Sequence, residues 1–224
     1  MTAGRGIMHA EMPRQNPDGS ANVGLQLWVD LPQHLKSCEP RYRDLAASEI
    51  PEVTADDGKV TVKVISGQSH GVDSVKDLAY TPVWILDVTV KPGGSITQPL
   101  PKGWNAFAYT LEGDAIFGKG DSGTKVEQFH NVVFEQDGDM VHVEVQSSAT
   151  KNSRFGTLTE HAPATGRLLC PRSASDLAFN VAGTNEIFLF LSFSPHCRNA
   201  TRPAHHPVRP LCAQFQRRCL QGLR

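Results

Sequence analysis

The residues best suited to chemistry lie near the first residue, where Gly4-Arg-Gly-Ile-Met-His-Ala-Glu11 sets a histidine and a carboxylate two positions apart behind a Gly-x-Gly turn. On a β-strand, residues i and i+2 point to the same face, so His9 and Glu11 are expected to aim at one ion. An imidazole and a carboxylate with open positions suit non-haem Fe(II) and related divalent metals. Such ions normally need three or more protein ligands, so the pair amounts to half a site. No His-x-His occurs anywhere in the chain to supply the rest, and His34 and His130 are expected to be ordinary structural or surface residues.

A ligand pair of this kind needs a β-scaffold, and residues 1–155 read as β throughout. Gly24-Leu-Gln-Leu-Trp-Val-Asp-Leu31 places Leu25, Leu27 and Val29 on one strand face, and Pro32 then ends the strand. Glu39 to Ala47 is the best helical stretch, with Pro40 in its first turn and a stripe of Tyr42, Leu45 and Ala46. Asp57-Gly58 opens an alternating strand over Lys59–Ile65. Further strands are expected over Val83–Val90, Ala106–Leu111, Ala115–Phe117, Val132–Phe134 and Val141–Val145, with Gly, Asp and Pro turns between them. Strands at this spacing predict a barrel or a double-sheet jelly roll.

Composition narrows the class. The chain has 224 residues, 39% hydrophobic and 20% charged, with a formal net charge of -1, which argues against binding nucleic acid through bulk charge. No apolar run approaches the ~20 residues of a membrane span. The first residues lack the basic start and apolar stretch of a signal peptide, so an intracellular, reducing location is expected and the five cysteines are read as thiols.

The average charge hides a break. Residues 1–155 carry 14 Lys+Arg against 20 Asp+Glu, a balance of 14 - 20 = -6; residues 156–224 carry 8 against 3, or +5, and all eight are Arg. Four cysteines (Cys170, Cys197, Cys212, Cys219) fall in that second part. Its one strand-like run is Asn185–Phe193. Elsewhere, stretches such as Arg202-Pro-Ala-His-His-Pro-Val-Arg-Pro210 predict disorder. His196-Cys197, His205-His206, Cys212 and Cys219 fit no zinc spacing. Asn199-Ala-Thr201 is a formal glycosylation acceptor expected to stay unmodified.

Several motifs in order carry a family resemblance. Met1–Pro13, Gly24–Leu31, Ile50-Pro51, Val64-Ile-Ser-Gly67, Gln98-Pro-Leu-Pro-Lys-Gly-Trp104 and Tyr109-Thr-Leu-Glu-Gly-Asp114 resemble the pirin family over roughly residues 1–155. The resemblance implies an all-β cupin fold: two stacked jelly-roll barrels with one metal, usually iron, in the first. His9 and Glu11 match the later two of four metal ligands, and the earlier His-x-His lies outside this sequence. The expected organisation is therefore a bicupin with an incomplete N-terminal barrel. Residues 1–31 are a remnant of the metal-binding cupin, 32–57 a linker with a short helix, 58–155 a C-terminal cupin without metal ligands, and 156–224 a divergent, mostly disordered tail.

Metal-binding cupins place His-x-His and Glu after the glycine that opens the Gly94–Gly113 stretch. Here that stretch reads Gln98-Pro-Leu-Pro101, and His142 is a single histidine on an alternating strand. The second barrel is thus expected to be metal-free.

By resemblance the cofactor is iron (Fe2+/Fe3+), and the role is a redox-responsive transcriptional co-regulator of NF-κB-type factors in nucleus and cytoplasm. The competing reading is a quercetin 2,3-dioxygenase acting on a flavonol, with Glu11 as proton acceptor; a third is an inactive fragment or isoform. A monomer is expected, with no membrane partner and no direct sequence-specific contact with nucleic acid.

Overall fold

The structure, a computed structural model, describes residues 1–10, 16–19, 23–29, 31–75, 80, 82–160 and 187–193. In chain order the strands are β1 (Val23–Val29), β2 (Glu52–Ala55), β3 (Val60–Ser66), β4 (Gln68–Ser69), β5 (Val72–Asp73), β6 (Val83–Val90) and β7 (Ser95–Pro99). They continue with β8 (Asn105–Glu112), β9 (Ala115–Phe117), β10 (Thr124–Val126), β11 (Asn131–Phe134), β12 (Met140–Glu144), β13 (Ser153–Glu160) and β14 (Ile187–Phe193). The helical segments among the described residues are single 3₁₀ turns.

The chain divides into two units, one built on residues 42–160 with the first two residues, the other on residues 3–41 with β14. The larger is a two-sheet jelly roll. One antiparallel sheet has six strands in the order β11-β8-β13-β6-β3-β2, and the other has four in the order β10-β9-β12-β7. Strand alternation builds the core. Val60, Val62 and Val64 of β3 and Leu86, Val88 and Val90 of β6 face inward with Ala108 and Phe155. From the four-stranded sheet come Ile96, Phe117, Val141 and Val143. β-Branched valines dominate because they lose little freedom on a pleated, buried surface.

Gly113, between β8 and β9, has φ +60, and a Cβ there would stand 2.3 Å from the Asn152 carbonyl oxygen. Only glycine permits both the left-handed turn and that close approach.

Three expectations need correction. Residues 39–47 are not helical: Ala46 is extended at φ -68, ψ 151, and one 3₁₀ turn follows at Ala47–Glu49. A helix this short is marginal unless it packs an apolar stripe, and Tyr42 of that stripe is 61% exposed. The boundary at 155 is also misplaced, because β13 pairs with β6 through Glu160. Likewise β2 begins inside the segment read as linker.

In the smaller unit, β1 pairs in parallel with β14 along their whole lengths, Val23 opposite Ile187 through Val29 opposite Phe193. The expected strand at 185–193 therefore forms. Its partner lies in the segment assigned to the first cupin, so the remnant and the tail are joined by one ribbon. The disorder expected for residues 161–186 and 194–224 lies outside the described residues, as do Asn199 and the candidate His and Cys residues of that region.

Candidate functional site

The Gly-x-Gly turn is built by close backbone contact. Gly4 has φ +51, and a Cβ on it would fall 2.1 Å from the Cys38 carbonyl oxygen. Arg5 N–H donates to that same oxygen at 3.0 Å, and Gly6 N–H closes the turn onto Ala3 O at 2.9 Å. The Arg5 guanidinium meets Glu39 at 2.7 Å, fixing the turn against residues 38–39. Cys38 is a free thiol, and the other four cysteines lie outside the described residues.

Beyond the turn, residues 6–10 form no strand, and His9 is exposed. The strand alternation that was to align His9 with Glu11 is thus not realised over residues 6–10, and Glu11 lies outside the described residues. Nor do other ligands gather: among the described residues no three His, Cys, Asp or Glu side chains converge as a metal site. His34 is exposed on the Gln33–Leu35 turn. The Nδ1 of His130 lies 3.0 Å from Gln128 O. As the expected holder of an iron, the described set offers one imidazole, which does not fit a metal centre by itself.

The barrel of residues 42–160 presents a better-defined constellation. On β7, Ile96 and Gln98 turn inward and Thr97 outward. Gln98 is 3% exposed and Ser69 1%. The Ser69 hydroxyl donates to Gln98 Oε1 at 2.7 Å. The amide nitrogen of Gln98 donates to Gln68 O at 3.2 Å and Pro99 O at 2.8 Å. Both amide hydrogens and the carbonyl are therefore engaged. Beside them, His70 Nδ1 lies 2.9 Å from Ser69 Oγ. Because the serine proton is directed at Gln98, the imidazole must be the donor here, and Ser69 is not a nucleophile with a base.

The same segment reaches the opposite sheet. Gly67 has φ +91, and a Cβ there would sit 2.2 Å from the Trp84 ring. Trp84 meets Trp104 edge-on, centroids 6.1 Å apart at 65°. Residues Gly67–Ser69 thus form a strap from Trp84 of β6 to Gln98 of β7. The sequence reading missed Ser69 and His70. The available signal was Gln98 at the inward parity of an alternating strand.

His142 faces outward, its Nδ1 2.8 Å from Thr97 Oγ1 and its Nε2 3.7 Å from Glu144. It is a sheet-surface residue, as expected, and not directed into the barrel.

Two ion pairs brace the barrel's outside. Arg154 on β13 grips Asp87 on β6 with two hydrogen bonds, 2.9 and 2.7 Å. That hydrogen-bonded carboxylate raises the Arg154 pKa above its ordinary value. Lys125 lies 2.9 Å from Asp114, and its hydrogen bond holds the Asp114 carboxyl below the usual 3.8. A carboxyl depressed only in the folded chain stabilises above its unfolded pKa and loses that contribution as pH falls through the folded value. Lys125→Met is therefore expected to lower stability modestly at neutral pH and to leave it little changed at acid pH, so that the acid side of the stability-pH curve flattens. Urea titrations at several pH values check this; an unchanged acid limb would contradict it.

The model of the Pirin C-terminal cupin domain matches residues 85–156, which run from β6 into β13. Human Pirin is 46% identical over 155 residues, covering 69% of this chain and 50% of that protein. Pirin-1 of Arabidopsis thaliana is 43% identical over 156 residues, covering 69% and 51%. This chain belongs to the pirin family.

The pirin-family chain spans about half the length of the curated relatives it matches. Among solved structures, the protein GK1651 of Geobacillus kaustophilus superposes with a TM-score of 0.51 at 26% identity, covering 59% of this chain and 51% of that one. A quercetin 2,3-dioxygenase of Acinetobacter baumannii gives 0.52 at 21%, covering 62% and 45%. The latter likeness is one of fold. Together they establish the all-β cupin architecture of this pirin-family member.

Proposed function

We propose that this pirin-family chain is a protein-binding regulator, a transcriptional co-regulator of NF-κB-type factors in nucleus and cytoplasm, with a flavonol dioxygenase as the competing reading. One observation supports a surface-presenting role for the barrel of residues 42–160. Where a metal-binding cupin sets histidines, this barrel has Gln98, a neutral amide whose two hydrogens and carbonyl are spent on Gln68, Pro99 and Ser69. Such a group neither binds a metal nor takes a proton from a substrate hydroxyl. The barrel is a scaffold that presents surfaces.

His9 and Glu11 are assigned by family descent as two of the iron ligands, and the redox response of the co-regulator reading depends on that iron. Two ligands hold iron weakly, so metal analysis of the purified chain should find well under one iron per chain. Near-stoichiometric iron that is lost in His9→Ala would overturn the expectation of weak binding. Capture of an NF-κB subunit by the chain tests the regulatory reading directly. Oxygen uptake with quercetin at enzymatic rates would replace it with the dioxygenase.

A further inference from the structure

Among the described residues, β11 ends the six-stranded sheet with β8 as its single strand neighbour. Alternate residues of an antiparallel strand turn their N–H and C=O away from that neighbour, so β11 offers a short hydrogen-bonding edge. The edge is firmly placed. Buried Thr110 of β8 donates through its hydroxyl to Glu127 O and its backbone N–H to His130 O, while Phe129 N–H donates to Thr110 O. This anchorage holds Phe129 at φ +63 with the residue 51% exposed. A bulky residue in the left-handed region is strained, and such outliers gather at binding sites.

Two further features define what the edge suits. Val133 is 41% exposed and stands opposite Phe107 of β8, which is itself buried, as is Leu158 beyond it. The ends of the edge are acidic: Glu127 precedes it, and Glu135, Asp137 and Asp139 follow it, all exposed. Lys125, near Glu127, is taken by Asp114, and Lys102 adjoins the 135–139 end through the Gly103–Gln136 hydrogen bond.

We propose that β11 is a docking edge for an extended, basic segment of a partner protein, which adds as a further strand. An apolar residue of that segment would stand opposite Val133, and Lys or Arg side chains would face the acidic rim. A second copy of this chain fits poorly, because pairing two β11 edges brings two acidic rims together. A short strand flanked by charge can also serve simply to block aggregation, and that role predicts no binding. The proposal uses neither His9 nor Glu11 and stands apart from the identity of the regulated factor.

The test titrates the full chain with a fluorescent peptide of alternating Lys and Val, and with the same peptide N-methylated at alternate amides. N-methylation keeps the charge and removes main-chain donors, so it should weaken binding about tenfold or more, as loss of one or two hydrogen bonds implies. Val133→Arg and the paired reversal Glu135→Lys/Asp137→Lys should each weaken it comparably with the unfolding midpoint unchanged, and amide shifts should map to residues 129–135. Equal affinity for the methylated peptide would reduce the effect to bulk charge and overturn the proposal. So would absence of binding, shifts that map elsewhere, or a dimer formed through β11.

Discussion

Phe155→Ala is expected to lower the unfolding free energy by about 3–5 kcal/mol, the range for deleting a buried aromatic ring. Phe155 is 1% exposed and sits on β13, between β6 and β8 at the centre of the six-stranded sheet. Its ring meets Phe117 of the four-stranded sheet edge-on, centroids 5.2 Å apart at 68°. Phe117 in turn packs on Phe134, 6.1 Å away. One side chain therefore ties the two sheets together, and alanine would leave a cavity beneath strands that cannot collapse without breaking their register. Phe155→Leu keeps most of the volume and should cost clearly less. Urea unfolding checks both: a shifted midpoint at constant slope is the expected result. A loss below about 1 kcal/mol for the alanine variant would show that the core is not organised around this ring.

How legible the protein was in its sequence depended on whether the signal was local. The valine alternation of residues 60–64 and 86–90 announces strands, because a two-residue period and a buried face leave few alternatives. Turns at Asp57-Gly58 and Gly113 were equally plain. The stretch 39–47 misled because a short apolar stripe resembles a helix face whether or not anything packs on it. The β1–β14 ribbon was invisible: pairing residues more than 160 positions apart leaves no local trace. His9 and Glu11 were marked by motif, but alternation alone did not supply the scaffold, since residues 6–10 form no strand. Gln98 was recognised as the residue standing where histidine was expected. What it does there was not legible, because its partners Gln68 and Ser69 lie some thirty positions away.

Gln98→Leu is expected to cost about 2–4 kcal/mol, more than one lost hydrogen bond, because it orphans buried groups on both sides of the strap. Leucine matches glutamine in size but leaves the Ser69 hydroxyl, the Gln68 carbonyl and the Pro99 carbonyl without the partners they have now. Ser69→Ala should cost less, about 1–2 kcal/mol, since the buried group that loses a partner is Gln98 Oε1, while the exposed His70 can turn to water. The two changes should not add, as each removes the same Ser69–Gln98 bond. Gln98→Glu separates hydrogen bonding from shape. A carboxylate would face two carbonyl oxygens, so its pKa would rise in the folded chain. The variant should then be most stable below the unfolded glutamate value of about 4.3 and lose stability as pH rises above it. Hydrogen exchange at Ser69 and Val72 should accelerate in Gln98→Leu beyond the change at Val62 and Val88, because the strap is released before the core. Uniform acceleration would mean that Gln98 supports the barrel as a whole and not the strap; no acceleration would mean that the strap is held by Trp84 and Gly67 alone.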